Sequence, residues 1–182
     1  MAVIRKKTPH PQDATANPTE TLEKLRKRLR EAGLLTIPLN VFAVAEFLGV
    51  EVVEEAMDDD LSGYLEMHGG HWVAGVNAYH HPNRKRFTIA HEIAHLLLHS
   101  SQKTCFQDQI FARREADRSQ TEGASMEREA DAFAAALLMP ANDVRQAIDA
   151  GTTSLSELAE KFRVSALAMK FRVKNLGYRV NS

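Results

Sequence analysis

Cysteine is almost absent from the sequence: Cys105 is the only one among 182 residues. No disulfide can form within the chain, which excludes the small secreted folds that depend on such crosslinks and favours a reducing compartment. An apolar content of 44% and a charged content of 26% are ordinary for a globular domain. We therefore expect the core to be built from side-chain packing alone.

The sequence also lacks any apolar run of the ~20 residues that a membrane-spanning helix needs. The longest run, Ala132–Ala141, has ten residues and contains Pro140. Residues 1–18 have no apolar stretch of the kind found in signal peptides. Their basic start is followed by polar residues and proline, which predicts a disordered tail. We therefore expect a cytoplasmic protein without membrane contact.

The net charge of −1 is spread unevenly. Residues 1–30 carry eight Lys or Arg against three Asp or Glu, and residues 154–182 carry six against two. Basic ends can contact nucleic acid, but solvated basic faces are the commoner outcome. The charge pattern therefore leaves DNA contact open without predicting it.

Apolar periodicity and turn residues predict an α+β fold with a small antiparallel sheet. Gly69-Gly70 separates two apolar segments, which predicts a β-hairpin. Helical spacing predicts helices over Phe87–His99 and Ser125–Met139, joined by a polar connection over Ser100–Ala124. The remaining predicted elements are helices over Thr19–Ala32, Pro38–Leu48 and Asn142–Ala150, and strands over Val50–Glu55, Leu61–Met67 and His71–Val76.

The main chemical signal is the segment His91-Glu92-Ile93-Ala94-His95. Helix residues four apart are rotated by ~40° and rise by ~6 Å, so both imidazoles lean over one side, where a zinc ion fits between them. Glu92 is turned by ~100° from His91, so it is better placed to reach a water molecule as general base. The pattern is a metallopeptidase signature.

A third ligand is expected from the second helix. His99 lies ~12 Å along a helix from His91, too far for one ion to bind both, so we interpret it as a helix-end residue facing the dipole. Glu127 and Asp131 share a helix face. We predict Glu127 as the ligand and Asp131 as the acceptor for the free N–H of a ligand histidine. Glu129, rotated by ~200° from Glu127, is the alternative ligand.

Residues 152–182 resemble a helix-turn-helix. Helices are expected over Leu155–Phe162 and Ala166–Leu176, and Arg163 stands where such a turn usually has glycine. Three basic residues of the second helix can bind phosphates: Lys170, Arg172 and Lys174. The alanines and the leucine at the start of that helix are poor readers of base edges, so we favour a helical scaffold over a DNA-binding role.

Two segments carry a resemblance to a known family. They are Arg86-Phe-Thr-Ile-Ala-His-Glu-Ile-Ala-His-Leu-Leu-Leu-His99 and Glu127-Arg-Glu-Ala-Asp-Ala-Phe-Ala-Ala-Ala-Leu-Leu-Met-Pro140. Together they resemble the ImmA/IrrE family of metallopeptidases, and the likeness extends from about Thr36 into the C-terminal segment. The resemblance implies a zincin-like core of two helices, with zinc bound by His91, His95 and Glu127 and with Glu92 catalytic. It also implies substrates that are helix-turn-helix repressors or antitoxins of phage, mobile-element or stress-response circuits.

We therefore predict a tail over residues 1–18, a zincin-like metallopeptidase domain over 19–151 and a helix-turn-helix-like segment over 152–182. The predicted function is cleavage of a regulatory protein by a gluzincin-like enzyme with one Zn²⁺ per chain. The alternative is a zinc-containing regulator or toxin-type module that binds a protein or DNA without hydrolysis. An intact Glu92 argues against that alternative, because a pure binder needs no base there.

Two further features of the sequence are compatible with more than one role. The strand His71–Val76 precedes the metal helix, where zinc peptidases often place an edge strand that pairs with extended substrate. Six residues can assist an oxyanion, although an ordinary surface role is the commoner outcome for each: His68, His71, His80, His81, Tyr64 and Tyr79. The sequence predicts no oligomeric state.

Overall fold

The computed structural model describes residues 17–102, 104–109 and 122–180. In these ranges the chain forms seven helices and four strands. The helices are α1 (Pro18–Glu31), α2 (Val41–Phe47), α3 (Pro82–His99), α4 (Glu122–Leu138), α5 (Ala141–Asp149), α6 (Leu155–Phe162) and α7 (Ala166–Asn175), and the strands are β1 (Val50–Glu55), β2 (Leu61–His68), β3 (His71–Asn77) and β4 (Cys105–Gln109). Most of the predicted tail, residues 1–16, lies outside the described residues. Asn17 and Pro18 instead start α1, with Asn17 as its cap.

The four strands form one sheet in the order β1-β3-β2-β4. Strands β2 and β3 make the predicted hairpin, and Gly69 and Gly70 at its turn have φ of 53° and 93°. The α+β class is confirmed, but the sheet is mixed rather than antiparallel, because β1 pairs in parallel with β3. The chain reverses between β1 and β2 and again at the hairpin, so β1 and its neighbour β3 run in the same direction.

The prediction that the strand before the metal helix, β3, lies at the edge of the sheet is wrong. Strand β3 lies between β1 and β2, and its last five residues, from Val73 to Asn77, are buried. Among the described strands, the outermost on the side of β2 is β4, which pairs antiparallel with β2. It lies in Ser100–Ala124, the segment where a connection without periodicity was expected. Phe106 is buried and anchors this strand.

Helix α3 packs between the sheet and α4 and is buried on nearly all sides. Twelve of its 18 residues are buried: Arg86, Thr88, Ile89, Ala90, His91, Glu92, Ile93, Ala94, His95, Leu96, Leu98 and His99. Its approach to β2 depends on Gly63, since a Cβ there would lie 2.5 Å from Thr88 Cγ2 and 2.5 Å from the carbonyl oxygen of Gly75. The motif-bearing helix is therefore held closely against the sheet by a glycine.

The C-terminal helices α6 and α7 pack into the same apolar core as α3 and α4. Leu158, Phe162 and Met169 are among their buried residues in that core. At the turn between them, Arg163 takes a left-handed conformation, with φ of 52° and ψ of 53°. Glycine takes this conformation at lower cost, which explains why it was expected here. Among the described residues, no helix is both long enough and apolar enough to cross a membrane.

The turn between α6 and α7 is hydrogen-bonded to the start of α3. Arg86 Nε donates to the carbonyl oxygen of Arg163 at 3.1 Å, and Asn83 Nδ2 donates to that of Val164 at 3.0 Å. Farther along, Arg172 Nε of α7 donates to the Met139 carbonyl at 2.8 Å. Backbone carbonyls of the turn between α6 and α7 thus accept hydrogen bonds from side chains of α3. Buried side chains of α6 and α7 also share one apolar core with α3.

Candidate metal centre

The two histidines four residues apart on α3 face each other as the helical spacing predicts. The Nε2 atoms of His91 and His95 are 2.9 Å apart, and their rings meet edge to face with centroids 4.6 Å apart. Both residues are buried. The helix that presents them starts at Pro82, with His81 as its cap. Two imidazole nitrogens thus point into one small space at the interface of α3 and α4.

Glu127 of α4 supplies oxygens to the same space. Its Oε2 lies 3.2 Å from His91 Nε2, and its Oε1 lies 3.2 Å from His95 Nε2. One donor atom from each of these three residues lies within 4.8 Å of the others. Glu129 is turned away from this cluster and lies near His99. The structure therefore brings together the predicted ligand set, with Glu127 rather than Glu129.

The spacing of these donors fits a zinc ion. Zinc bonds of ~2.0–2.1 Å in tetrahedral geometry separate neighbouring ligand atoms by ~3.3 Å. The Nε2–Nε2 distance of 2.9 Å and the two Nε2–oxygen distances of 3.2 Å, which end on different oxygens of Glu127, are close to that value. Two imidazoles and one carboxylate are also the donor set of a well-known class of catalytic zinc sites. The cluster can therefore hold one ion of this type.

Asp131, one helical turn after Glu127, orients His91. Its Oδ1 lies 2.9 Å from His91 Nδ1. A carboxylate only accepts, so His91 donates through Nδ1–H. When His91 is neutral, its lone pair is therefore on Nε2 and is directed at the cluster. The structure places Asp131 where the helix spacing predicts it.

His99 contacts the site directly, which its predicted role as a helix-end residue did not include. It ends α3 as expected, but it is only 3% exposed, and its Nδ1 lies 3.0 Å from His95 Nδ1. Its Nε2 lies 3.5 Å from Glu129 Oε2. The sequence does carry a signal for this contact, because His99 follows His95 by four residues and so shares its helix face.

Phe106 of β4 is a second residue that the sequence did not assign to the site. Its ring stacks on that of His95, with centroids 4.5 Å apart and an interplanar angle of 22°. The contact restrains the plane of the His95 imidazole. No sequence pattern predicts the contact between Phe106 and His95, because the contact depends on the pairing of β4 with β2.

Glu92 is completely buried on the side of α3 that faces β2. Its Oε1 would lie 3.5 Å from a Cβ built on Gly63, so the glycine also leaves room for this carboxylate. Glu92 is not part of the donor cluster of His91, His95 and Glu127. This agrees with its rotation of ~100° from His91 along the helix.

Burial and hydrogen bonding act in opposite directions on the charges of the cluster. Burial disfavours a charged His91, but hydrogen bonds to Asp131 and Glu127 outweigh it and raise the pKa of His91 to about 9. Burial lowers the pKa of His95 to about 4. For Glu127, burial alone would raise the pKa, yet the hydrogen bonds from His91 and His95 hold it well below the ordinary value. At neutral pH these shifts favour a charged His91, a neutral His95 and an ionised Glu127.

The structure assigns no oxyanion donor among the six candidates. His81 caps α3, since its Nδ1 accepts a hydrogen bond from the backbone N–H of Asn83 at 3.2 Å. His71 Nε2 lies 3.2 Å from Glu51 Oε2, and Tyr79 is 78% exposed. In the part of the chain that the structure describes, the donor cluster includes none of the six: His68, His71, His80, His81, Tyr64 and Tyr79.

Comparison with known proteins gives a family and likenesses to solved structures. The Peptidase_M78 family, described as the IrrE N-terminal-like domain, matches residues 45–174. The structure is similar to that of a Mycobacterium tuberculosis transcriptional regulator, with a TM-score of 0.59 and 20% sequence identity. The match covers 85% of this chain and 47% of that one, so the chain spans about half the length of the regulator. A comparison with curated proteins gave no match.

Proposed function

Because the chain belongs to the Peptidase_M78 family, we propose that it is a zinc-dependent endopeptidase that cleaves a regulatory protein. The observation that carries this proposal is the convergence of His91, His95 and Glu127 at donor distances of 2.9 to 3.2 Å. Glu92 follows the first of them on the same buried helix. The proposed ligands are these three residues, with one zinc ion per chain.

The proposed chemistry divides between the ion and the side chains around it. Zinc, when bound, polarises the scissile carbonyl and lowers the pKa of water. Glu92 accepts the proton of the attacking water on its carboxylate and passes it to the departing amide nitrogen. Asp131 positions His91 through the Nδ1 hydrogen bond, so the ligand nitrogen stays directed at the site.

We propose a helix-turn-helix repressor or antitoxin as the substrate, on the basis of the family resemblance alone. The segment to be cut would bind in extended form along β4, because β4 is the outermost described strand on the side of the site. The stacking of Phe106 on His95 supports this, since it joins that strand directly to a proposed ligand. We therefore propose β4, rather than β3, as the strand that pairs with the substrate.

The experiment uses the full chain and a regulator encoded beside its gene. Zinc-loaded wild-type protein should cut the regulator, and a chelator should stop the reaction. Glu92→Gln should retain zinc yet leave the regulator intact, because the amide cannot take the proton. Glu160→Gln makes the same change at an exposed position of α6 and should cut at the wild-type rate. Cutting at an unchanged rate by Glu92→Gln would disprove the assignment of the base.

A regulator that binds without hydrolysis remains the second candidate. The exposed face of α7 supports protein contact more than DNA contact, because it presents Leu167 at 59% and Phe171 at 50% exposure. Large apolar side chains on a helix-turn-helix-like face bind neither phosphates nor most base edges. Stable association with the regulator, without any cleavage by the zinc-loaded protein, would favour this candidate.

A further inference from the structure

We propose that Glu129 and His99 together set the tautomer of His95 and so keep its Nε2 lone pair directed at the ion. The inference rests on the proposed zinc function, and it gives these two residues a positioning role. His91 has a carboxylate directly on its outer nitrogen, at 2.9 Å. Among the described residues, the group that faces the outer nitrogen of His95 is a second imidazole instead.

The two nitrogens of the His95 ring face different groups. Its Nε2 lies in the donor cluster, 2.9 Å from His91 Nε2 and 3.2 Å from Glu127 Oε1. Its Nδ1 is therefore the atom left to orient the ring, and it lies 3.0 Å from His99 Nδ1. Two ring nitrogens at this distance form one hydrogen bond, so only one of them carries the hydrogen.

Glu129 determines which of these two nitrogens carries the hydrogen. His99 Nε2 lies 3.5 Å from Glu129 Oε2, and a carboxylate can only accept. A neutral His99 therefore places its single hydrogen on Nε2 and leaves Nδ1 as an acceptor. His95 must then donate through Nδ1–H, which leaves its Nε2 lone pair unprotonated and directed at the cluster. The opposite arrangement would put a hydrogen on His95 Nε2 and prevent it from binding an ion.

Burial excludes water as the group that orients His95. His95 and His99 are 1% and 3% exposed, so the orienting partner has to come from the protein. Phe106 stacks on one face of the His95 ring and helps to fix its plane. The Glu129 carboxylate is itself held, since its Oε1 accepts from Ser125 Oγ at 3.4 Å. The chain Glu129–His99–His95 thus extends from the half-exposed surface of α4 to the ligand nitrogen.

The test measures zinc affinity of the full-length protein by competition with a chelator. Removing such an orienting partner weakens metal binding by about 10–100-fold, so we expect His99→Leu to fall in this range. Glu129→Leu should weaken binding in the same direction, whereas Glu129→Gln keeps an acceptor and should lose less. His99→Asn should recover much of the affinity, because its carbonyl oxygen can accept from His95 Nδ1–H. Arg128→Leu, an exposed neighbour on α4, should bind as the wild type does.

A second readout separates orientation from packing. Nitrogen-15 NMR of the zinc-free wild type should show His95 protonated at Nδ1 and unprotonated at Nε2, and a folded His99→Leu should lose this preference. Melting of the zinc-free variants gives the folding control. Equal affinity in the wild type and a folded His99→Leu would overturn the inference and leave the zinc function standing. Equally weak binding by His99→Leu and His99→Asn would also overturn it, because packing would then explain the loss. A wild type that binds no zinc would overturn both proposals.

Discussion

Asp131 Oδ1 accepts a hydrogen bond from His91 Nδ1 at 2.9 Å, across the interface between α3 and α4. Asp131→Asn leaves a side chain of the same size that can still accept, but the charge is lost. We expect zinc affinity to fall by about 10–100-fold while the fold is retained, because the ligand histidine becomes less basic and less fixed. Chelator competition measures the change, with Asp149→Asn at an exposed position of α5 as control. An unchanged affinity would remove Asp131 from the site.

The assignment of the third ligand is tested by zinc content. We expect one zinc per chain in the wild type and its loss in His91→Ala, His95→Ala and Glu127→Ala, since each removes a donor. Glu129→Ala should still contain zinc when the metal is supplied in excess, because Glu129 contacts His99 rather than the cluster. Elemental analysis of the purified variants decides between them. Loss of zinc in Glu129→Ala with full zinc in Glu127→Ala would reverse the assignment.

Zinc binding should also depend on pH in a specific way. The pKa of His91 is raised to about 9, so His91 must lose a proton on binding zinc at neutral pH. The pKa of His95 is lowered to about 4, so His95 is already neutral there. Affinity should therefore fall about tenfold for each unit that the pH decreases below the pKa of His91. Calorimetry in buffers of different ionisation enthalpy should count about one proton released per ion. A count of two would contradict these protonation states.

Gly63 provides a test of how closely α3 is held against the sheet. A Cβ at this position would meet Thr88 Cγ2 and the Gly75 carbonyl oxygen, each at 2.5 Å. Gly63→Ala should therefore lower the free energy of unfolding by about 1–3 kcal/mol, as other overpacked sites do. Denaturant unfolding measures this loss. Adding Thr88→Ser removes the clash with Thr88 Cγ2, so the double variant should recover part of the lost stability. Purely additive effects of the two substitutions would show that this clash does not cause the loss.

The basic residues of α7 should separate into two groups. Arg172 Nε donates to the Met139 carbonyl at 2.8 Å, so Arg172→Gln should destabilise the protein by about 1–3 kcal/mol. Lys170 and Lys174 are exposed, and their replacement by Gln should leave stability and peptidase activity unchanged. Unfolding curves and a mobility-shift assay measure both effects. Tight, salt-sensitive DNA binding that the lysine variants lose would instead support the regulator candidate.

The parts of the site that depend on spacing within one helix were predictable from the sequence. A period of four residues places His91 beside His95 and Glu127 beside Asp131, because the helix repeat dictates which residues share a face. The α6 bounds, Leu155–Phe162, were also predicted as observed, since Ser154 caps that helix. Local capping and periodicity are sufficient in these cases.

The parts that depend on pairing between distant segments were not predictable. Strand β4 has only Phe106 as a buried aromatic anchor, so its alternation is too weak to read from the sequence. The parallel pairing of β1 with β3 follows from strand order, which no local pattern encodes. The contact of His99 with Glu129 needs the register between α3 and α4. Each of these features arises from tertiary packing.

The proposed ligands lie far apart along the chain, with His95 at the end of one helix and Glu127 at the start of another. An ion held by both would act as a reversible crosslink between two distant segments of the folded chain. Because these ligands come together only on folding, the ion would bind the folded chain in preference to the unfolded one. Zinc would then raise the melting temperature as well as support hydrolysis, so the amount of folded protein would depend on the zinc supply.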